Sequence, residues 1–489
     1  TNASNIGISK NTITTNSIGI RAVSADNLDI RNNKLTDNPS AISLALTSYA
    51  YVFKNTITGG NYGITISKSY GTSIENNTIS KTGKAGIYAA KTINNVYYGE
   101  GPQHLYIRYN TISNNYGDGI DLENVKSDLY IFRNSICNNG NHGINLENVG
   151  EGINITRNTI SSNSNNGIRL NKVGSNTIQS NTIEKNRIGI NFGQDYVHPS
   201  KQDISYNAVY GNTHREVEAM ETSYDFTNQL GIGDNWYGGS PNICPKINSG
   251  LITFKVRQVS TYYFEVTFYD SKGNVASLLP SRTVSHKVGN GISRTDTISN
   301  GQGLVDRDAS DNDILSFMID GGVQTVKYKS QDSSYRDIQV DNYGGKAKNI
   351  DDIGKTWEEI KKELEAASGG NGTGSGSGNS NGNGGNNGNN GNSNGNGTAV
   401  NNGKNGDSNG VSTSSTNPLG SSSSSGLGSS AGASSSGAPA TDSAVMRTLE
   451  VDDEEFRVVG VWWLLLLIII VIGLYYREDI EDMIRKTYY

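Results

Sequence analysis

Several features that are common in catalytic or nucleic-acid-binding proteins are scarce in this sequence of 489 residues. It contains 2 cysteines, 8 prolines and 5 histidines, and most of its aromatic residues are its 26 tyrosines. Its 41 Lys and Arg against 47 Asp and Glu give a net charge of −6, so no basic excess favours nucleic acid as a partner. No histidine spacing typical of metal ligands occurs among the five positions. These are His104, His142, His198, His214 and His286.

The first half of the chain has no helical periodicity but carries a short repeated motif, most often Asn-Thr-Ile. Its leading Asn recurs at intervals of 22, 22, 22, 33, 24, 24, 23 and 26 residues. A fixed period in the low twenties predicts a stacked repeat protein. The leading residues are Asn11, Asn33, Asn55, Asn77, Asn110, Asn134, Asn158, Asn181 and Asn207.

Each repeat has the alternation of half-buried β-strands. Ile120 and Leu122 fall on one side of a segment, and Asp121 and Glu123 fall on the other. A leucine-rich repeat would need a Leu-x-x-Leu-x-Leu frame, which these repeats lack. We therefore predict an all-β parallel β-helix, in which successive rungs (full turns of the coil) lie about 4.8 Å apart.

Equivalent positions of successive rungs stack along the axis, and we call each such stack a column. The residue two after each leading Asn forms an interior column of Ile. The leading Asn points inward too, and its buried amide is satisfied if it donates to the carbonyl of the next Asn. We also expect the Gly before Ile120, Ile144 and Ile168 to supply a positive φ. The predicted structural columns include Asn110, Ile112, Asn134, Ile136, Asn158 and Ile160.

The two cysteines are not expected to pair in this fold unless the C-terminal cap folds back. Cys137 and Cys244 are about four rungs apart, which is roughly 19 Å at the spacing of a β-sheet. A disulfide requires Cα atoms within about 7 Å of each other. We therefore expect two free thiols.

The pattern divides the chain into segments. Residues 1–246 are the β-helix, with a cap near Trp236, and the segment begins within a rung, so we expect further rungs upstream. Residues 247–345 contain several short alternating strands and turns, which predicts a β-sandwich. Residues 350–367 carry apolar residues at the spacing of an amphipathic helix.

The remaining C-terminal part predicts a membrane anchor. Residues 368–446 are mostly Gly, Asn and Ser, which favours a disordered linker. Residues 458–476 contain no charge over 19 positions, long enough for one transmembrane helix in a lipid bilayer. Residues 477–489 would form a cytoplasmic tail, with the N-terminal part outside. The candidate glycosylation sites all precede the span and are Asn2, Asn76, Asn154, Asn371 and Asn396.

A cluster of aromatic and charged residues near the longest repeat interval is the candidate ligand site. Insertions in repeat proteins often lie on the binding face, and the insertion here contains Tyr97 and Tyr98. With Tyr116, they could stack on sugar rings while Asp118 and Asp121 bind hydroxyl groups. Ordinary loop packing and solvated strand positions are the alternative explanation.

The same region also contains residues that could serve catalysis. The repeat register stacks Asp121 with Asn145 and Arg169, and it stacks Glu123 with Glu147. Two rungs, roughly 10 Å, would separate Asp121 from Arg169. Acidic residues beside an arginine could therefore act as an enzymatic site.

The order of segments supplies a family resemblance. The repeats, then Asn235-Trp-Tyr-Gly-Gly, then a module with Phe268-Tyr-Asp-Ser-Lys-Gly and Leu279-Pro-Ser-Arg-Thr-Val, resemble methanogenic archaeal adhesin-like surface proteins. The resemblance implies right-handed parallel β-helix repeats, an Ig-like module, display on the cell envelope and attachment. In such modules an apolar residue usually stands at the position of His286.

We therefore consider two functional hypotheses, in addition to the hypothesis that the protein is a structural spacer. The first is a membrane-anchored adhesin without enzymatic activity or cofactor, which binds a carbohydrate or another cell-surface ligand. The second is a polysaccharide lyase or epimerase, because enzymes of these classes share such repeats and use acidic residues for Ca²⁺ and an Arg or Lys as base. The Asp-Pro-His-Glu tetrapeptide of related epimerases is absent. The acidic residues near Asp118 would also allow a structural Ca²⁺ at this position.

Overall fold

The computed structural model describes residues 3–196, 199, 201–220, 230–332, 335 and 356–368. Within these ranges the chain forms 38 β-strands and one α-helix. A parallel β-solenoid comes first, two antiparallel sheets follow, and the helix comes last.

Three nine-stranded parallel sheets form the solenoid, and each rung contributes one strand to each sheet. Sheet 1 contains β1 (Ala3–Ser9), β4 (Ala25–Arg31), β7 (Tyr51–Phe53), β10 (Tyr70–Glu75), β15 (Gln103–Arg108), β18 (Ser127–Phe132), β21 (Glu151–Thr156), β24 (Asn176–Gln179) and β27 (Gln202–Ser205). Sheet 2 contains β2 (Thr12–Thr14), β5 (Lys34–Thr36), β8 (Thr56–Thr58), β11 (Thr78–Ser80), β16 (Thr111–Ser113), β19 (Ser135–Cys137), β22 (Thr159–Ser161), β25 (Thr182–Glu184) and β28 (Ala208–Tyr210). Sheet 3 contains β3 (Ile18–Val23), β6 (Ser40–Ala45), β9 (Tyr62–Ser67), β12 (Ala85–Ala89), β17 (Asp118–Glu123), β20 (Ile144–Val149), β23 (Asn166–Val173), β26 (Ile188–Phe192) and β29 (Arg215–Ala219).

The interior of the solenoid is made of columns of like residues. In sheet 2, Ile112 pairs in register with Ile79 on one side and Ile136 on the other, and Ile136 pairs with Ile160. All four side chains are completely buried. Burial of each contributes roughly 1.5–3 kcal/mol, and only stacking of neighbouring rungs achieves it. The predicted parallel β-helix is therefore confirmed, with about nine rungs.

The leading Asn residues form a hydrogen-bonded column beside this core. Asn110 Nδ2 donates to Asn134 Oδ1 at 3.0 Å, and Asn134 Nδ2 donates to Asn158 Oδ1 at 3.0 Å. Each amide also satisfies a neighbouring carbonyl, as Asn134 does with Ile107 at 2.8 Å. The column runs one rung beyond the repeats recognised in the sequence, because Asn207 donates to Asn235 at 2.9 Å.

A second Asn column, which we did not predict, follows the first at the next turn. Asn115 Nδ2 donates to Asn139, and Asn139 Nδ2 donates to Asn163, both at 2.9 Å. Its members stand five residues after the leading Asn of their rung, so the signal was present in the sequence. Where the rung of Asn77 has Thr82 at this position, Thr82 Oγ1 donates to Asn115 at 2.8 Å.

The glycines before Ile120, Ile144 and Ile168 do not have the positive φ that we predicted; they allow close packing of backbones. A Cβ on Gly143 would lie 2.6 Å from Cγ2 of Ile160 and 2.7 Å from the carbonyl oxygen of Gly167. The left-handed positions fall instead on residues such as Asn114 and Asn138, with φ of 57° and 56°. Asn adopts this conformation more readily than most residues, which leaves the glycines free for the tight contact.

The replacement Gly143→Ala therefore destabilises the solenoid by overpacking. The methyl group has to displace both the backbone of the next rung and the Ile160 side chain. We expect a loss of about 1–3 kcal/mol in the free energy of unfolding, measured by chemical denaturation. Gly231→Ala is a suitable control because nothing lies within 4 Å of its added Cβ. Equal stability of the two variants would contradict the packing role of Gly143.

The C-terminal end of the solenoid is closed by a residue other than the one predicted. Tyr237, buried in the solenoid core, closes it, and its hydroxyl lies 2.6 Å from Ser249 Oγ. Trp236 turns away from that core and packs on Phe268 of the following module, with ring centroids 5.3 Å apart. The two adjacent aromatics face opposite sides because successive residues of an extended chain alternate. Parallel strands β30 (Leu230–Asn235) and β31 (Ile247–Leu251) complete this end.

Two antiparallel sheets follow and share one apolar core. The first contains β32 (Thr253–Gln258), β33 (Tyr263–Tyr269) and β36 (Gln302–Asp306), and the second contains β34 (Arg282–Val288), β35 (Arg294–Ile298), β37 (Ile314–Ile319) and β38 (Gly322–Lys327). Phe264 of the first sheet meets Phe317 of the second at 5.3 Å. His286 is buried in this core where an apolar residue was expected, and it stacks on Phe317. Its Nε2 lies 2.7 Å from Asp296 Oδ2, whereas its Nδ1 is buried without a hydrogen-bond partner among the described residues.

The amphipathic helix is α1 (Trp357–Ser368), and residues 350–355 of the predicted segment lie outside the described residues. Thr356 and Glu359 form a capping box, in which Glu359 Oε2 accepts the Thr356 N–H at 2.7 Å. The apolar side of the helix packs against tyrosines of the solenoid. The apolar residues are Trp357, Ile360 and Leu364, and the tyrosines are Tyr49, Tyr51, Tyr70 and Tyr106.

Several predictions concern residues that the structure does not describe. These are the linker from residue 369 onward, the span 458–476, the tail 477–489, and the candidate glycosylation sites Asn2, Asn371 and Asn396. In the described part of the chain, no helix has the length and apolar character needed to cross a membrane. Of the other two glycosylation candidates, Asn76 is exposed and Asn154 is half-buried. Cys137 and Cys244 are both free.

Candidate functional site

The outer face of sheet 3 carries a column of polar side chains. In-register pairing stacks Tyr88, Asp121, Asn145 and Arg169 on four successive rungs. They point outward because the alternate residues of the same strands, such as Ile120 and Leu122, point into the core. We call this set the sheet 3 column.

The sheet 3 column is joined by hydrogen bonds from rung to rung. Asn145 Nδ2 donates to Asp121 Oδ1 at 2.9 Å, and Arg169 Nη1 donates to Asn145 Oδ1 at 2.9 Å. Arg169 also pairs with Glu147 Oε2 at 3.2 Å. The guanidinium is thus already shared between an amide and a carboxylate, which holds it in place.

A second outer column lies two residues further along the same strands. Glu123 and Glu147 stack in register, and Asn171 follows Glu147. Asn171 Nδ2 lies 2.8 and 2.9 Å from the two carboxylate oxygens of Glu147. The Tyr88 hydroxyl reaches Glu123 Oε2 at 3.5 Å, so the two columns form one network.

Burial and like charge raise the pKa of the acids in this network. Partial burial raises the pKa of Asp121, against the lowering effects of Asn145 and Arg169. Burial, with the nearby charges of Asp121 and Glu147, raises the pKa of Glu123. The site therefore favours the protonated form of both carboxyls more than water does.

Asp118 belongs to a different column, at the start of the same strand. Its Oδ1 accepts the backbone N–H of His142 at 2.7 Å, and His142 Nδ1 accepts the backbone N–H of Asn166 at 3.3 Å. Burial raises the pKa of Asp118 to about 7 and lowers the pKa of His142 to about 4. Both therefore act as hydrogen-bond acceptors in a turn column, and His142 is neutral at neutral pH.

The raised pKa of Asp118 makes the solenoid less stable as pH rises. In the unfolded chain the carboxyl titrates near 3.9, so the folded state holds its proton more tightly. The free energy of unfolding should fall between about pH 4 and pH 7, by on the order of 4 kcal/mol, and Asp118→Asn removes this loss. The variant should be more stable than the parent at pH 8 and similar at pH 4, measured by denaturation at each pH.

The matched control for that experiment is Asp26→Asn, because Asp26 is exposed on sheet 1. It should change stability little at either pH. Identical pH profiles of the parent and Asp118→Asn would show that the Asp118 carboxyl is not desolvated.

The structure does not bring the predicted tyrosines to this network. Tyr97 lies on the hairpin of β13 (Thr92–Ile93) and β14 (Val96–Tyr97), and its side chain is 69% exposed. Asn94 of the same hairpin donates to Ser43 Oγ at 2.8 Å, so the hairpin folds over the N-terminal rungs of sheet 3. Tyr98 is half-buried in that insertion. Tyr116 is 76% exposed at a turn and makes no ring contact within the described residues.

Two other tyrosines, which sequence reasoning missed, stand beside the network. Tyr62 and Tyr88 stack with ring centroids 4.9 Å apart. The signal was available, because Tyr88 precedes Asp121 by 33 residues, the same interval as that between Asn77 and Asn110. The aromatic end of the site therefore comes from the preceding rungs rather than from the insertion.

The described residues contain no group of three or more His, Cys, Asp or Glu placed to hold a metal ion. Asp118, Asp121 and Glu123 are neighbours in sequence but lie in different columns. Asp118 Oδ1 is also engaged by a backbone N–H, which leaves the three carboxylates without a common centre.

Two protein-family descriptions match the solenoid. "Right handed beta helix region" matches residues 1–153, and "Periplasmic copper-binding protein (NosD)" matches residues 91–240. In the described part of the matched region, the His, Cys and carboxylate side chains do not converge on a metal site, so no copper chemistry is derived for this chain.

Solved structures of other proteins show distant similarity. A double mutant of the periplasmic alginate epimerase AlgG is 18% identical over 41% of this chain and 50% of that chain, with a TM-score of 0.32. The Azotobacter vinelandii mannuronan C-5 epimerase AlgE6 A-module is 16% identical over 51% of this chain and 72% of that chain, with a TM-score of 0.37. Geobacillus virus E2 ORF18 is 11% identical over 66% and 67%, with a TM-score of 0.29.

The alignment spans about half the length of the first of these epimerase structures, and the low scores support no argument about activity. No curated protein matches the chain. The in-register parallel sheets and the family match to residues 1–153 agree on one fold. We conclude that this chain contains a right-handed parallel β-helix domain.

Proposed function

We propose that the β-helix is a non-catalytic glycan-binding element of a cell-surface protein, and that it binds through the outer face of sheet 3. The observation that carries the proposal is the hydrogen-bonded sheet 3 column of Tyr88, Asp121, Asn145 and Arg169 beside the stacked ring of Tyr62. These groups present donors, acceptors and an aromatic surface at regular intervals on a rigid sheet.

Such a surface suits a sugar chain for chemical reasons. Sugar hydroxyls donate to carboxylates and accept from amides and guanidinium groups, and charged partners give the stronger bonds. Aromatic rings supply a flat apolar contact for the carbon faces of a sugar. The partner class is therefore a neutral or weakly charged glycan on this face, because Asp121, Glu123 and Glu147 would repel a densely anionic one.

Display at the cell surface is the second part of the proposal. The Gly-, Asn- and Ser-rich segment 368–446 would tether the β-helix to a single transmembrane helix at 458–476 in a lipid bilayer, with the large N-terminal part outside. A match to a family described as periplasmic supports a location beyond the cytoplasmic membrane. An adhesin-like role would follow from a binding surface that such a tether holds at the membrane.

A polysaccharide epimerase or lyase is the second candidate, and the raised pKa values of Asp121 and Glu123 favour it. Removal of a proton from a sugar carbon needs a free base beside these acids. Arg169 is held by Asn145 and Glu147, and a guanidinium group has hydrogen-bond donors but no acceptor. We therefore place the binding role first.

A glycan array probed with the full chain tests the proposal. Asp121→Ala and Tyr88→Ala should each weaken binding to the retained glycans about tenfold, the loss expected for one charged hydrogen bond or one stacked ring. Asp26→Ala, on the exposed face of sheet 1, is the matched control and should bind as the parent does. Full binding by both site variants would place the ligand elsewhere on the molecule.

A further inference from the structure

A cleft of about 310 Å³ lies between the solenoid and the loop that precedes β34. The solenoid side comes from turns and strands of three successive rungs, and the other side comes from residues 277–281 and Asn300. Ser180 Oγ donates to the Leu278 carbonyl at 2.6 Å, which fixes the loop against the solenoid. The cleft is therefore a formed feature of the junction, and it lies at the turn between sheets 1 and 2 rather than on sheet 3.

Two arginines stand on the solenoid side of the cleft. Arg133 and Arg157 occupy the same left-handed turn position on adjacent rungs, with φ of 49° and 57°. Their side chains therefore start about 4.8 Å apart. Tyr109 holds this turn position one rung earlier, and Ser180 holds it one rung later.

These arginines form no ion pair with any described residue, and none of the described lining residues is an Asp or a Glu. Burial, together with the neighbouring charge of Arg133, lowers the pKa of Arg157. Two like charges held side by side at the edge of a cleft favour an anion between them. Guanidinium groups bind carboxylates and sulfates through paired, charged hydrogen bonds.

The rest of the lining fits a sugar that carries such an anion. Thr182, Ser277 and Ser281 also line the cleft. Thr182 Oγ1 accepts from Arg282 Nη1 at 3.3 Å, and Ser281 Oγ lies 2.9 Å from Ser299 Oγ. One rung before Arg133, the Tyr109 ring is 36% exposed and packs edge-on against Phe132, and the Arg133 guanidinium lies 5.3 Å from the centre of that Phe132 ring. Charged, hydroxyl and aromatic groups thus follow one another within four rungs.

We propose that this cleft is a second glycan site, and that Arg133 and Arg157 together bind the carboxylate or sulfate group of an acidic sugar. The site differs in charge from the sheet 3 network, in which Arg169 is the one arginine beside Asp121, Glu123 and Glu147. It does not require that column to bind glycan, so either site can be disproved without the other.

The test is direct binding of the full chain to three probes in a titration. The probes are oligogalacturonate, which carries carboxylates, its methyl ester, which is neutral, and dextran sulfate. We expect oligogalacturonate or dextran sulfate to bind, the methyl ester to bind at least tenfold more weakly, and added salt to weaken the charged complex. Whichever anion binds more tightly identifies the group that the cleft prefers.

The variants Arg133→Gln and Arg157→Gln should each weaken binding of that anionic probe about tenfold, and the double variant more strongly. Arg187→Gln removes the same charge from an exposed turn outside the cleft and should bind as the parent does. Equal melting temperatures of the variants without ligand show that folding is intact. Unchanged affinity in the double variant, equal loss in Arg187→Gln, or equal binding of the methyl ester would each overturn the proposal.

The variant Asp121→Ala tests the sheet 3 proposal separately, through its binding of neutral glycans. If Asp121→Ala loses binding to neutral glycans while the double arginine variant binds every probe normally, the cleft proposal fails and the sheet 3 proposal stands. The reverse result leaves the cleft as the glycan site of the molecule.

Discussion

Ile112→Asp unfolds the central rungs of the β-helix. Ile112 is completely buried between Ile79 and Ile136, so the carboxylate would have no partner and no water. Loss of the buried side chain costs about 1.5–3 kcal/mol, and burial of an unpaired charge costs several kcal/mol more. The sum is larger than the free energy that usually holds a local segment of a domain folded. We expect loss of β-sheet circular dichroism and rapid proteolysis within the central rungs at temperatures where the parent is intact.

Thr111→Asp is the control for this experiment, because it introduces the same charge at the adjacent exposed position of the same strand. It should melt close to the parent. Parent-like melting of Ile112→Asp would mean that the Ile column does not face the interior, and the register of all three sheets would then be wrong.

Asn134→Ala has the second largest expected effect, although it removes only a small polar side chain. The Asn134 side chain donates to Asn158 Oδ1 and to the Ile107 carbonyl, and it accepts from both the backbone and the side chain of Asn110. Removing it leaves buried donors and acceptors unsatisfied on both adjacent rungs. At about 1 kcal/mol for each bond, we expect a loss of roughly 3–5 kcal/mol in the free energy of unfolding.

The comparison variant is Thr111→Ala, which removes a side chain that is exposed on sheet 2. Its free energy of unfolding should lie within about 0.5 kcal/mol of the parent value. Asn134→Asp is informative as well, because the carboxylate can accept from Asn110 but cannot donate to Asn158. If Asn134→Ala is as stable as Thr111→Ala, the Asn column is not a source of stability.

The solenoid could be predicted because its residues repeat at a period that only stacking explains. Asn110, Asn134 and Asn158 share one spacing, and the position of each Ile relative to its Asn sets the inward face. The same reasoning gave the outward stack of Asp121, Asn145 and Arg169. It would also have given the second Asn column and Tyr88, had the register been followed at every position.

Features that depend on close contacts or on distant segments could not be predicted from the repeat period. The glycine before Ile144 was predicted to turn the chain, whereas contact with the next rung requires it to lack a Cβ. The insertion of Tyr97 packs on earlier rungs through contacts such as that of Asn94 with Ser43, 51 residues before it in the chain. The cleft of Arg157 depends on a loop more than 100 residues later, which no local pattern places there.

The packing at the junction between the solenoid and the antiparallel sheets could not be predicted from the repeat period either. Trp236 was expected to cover the last rung, yet its Nε1 donates to Asp320 Oδ2 at 2.8 Å on the other side. Arg282 pairs with the same carboxylate at 3.0 Å and its guanidinium lies over the ring of Tyr210. These partners are separated by up to 110 residues in the chain. The sequence therefore predicts an aromatic residue at the C-terminal end of the solenoid but does not show which of the two cores it joins.

The measurement that most directly tests the functional account is incubation of the full chain with a panel of neutral and acidic polysaccharides, followed on the same samples for retention and for chemical change. We predict that the chain retains at least one glycan and leaves every polymer unaltered in length, in unsaturated ends and in sugar configuration. A change in any of these, abolished by Asp121→Ala, would contradict a binding role and establish an enzyme instead. Retention of no glycan at all would contradict both.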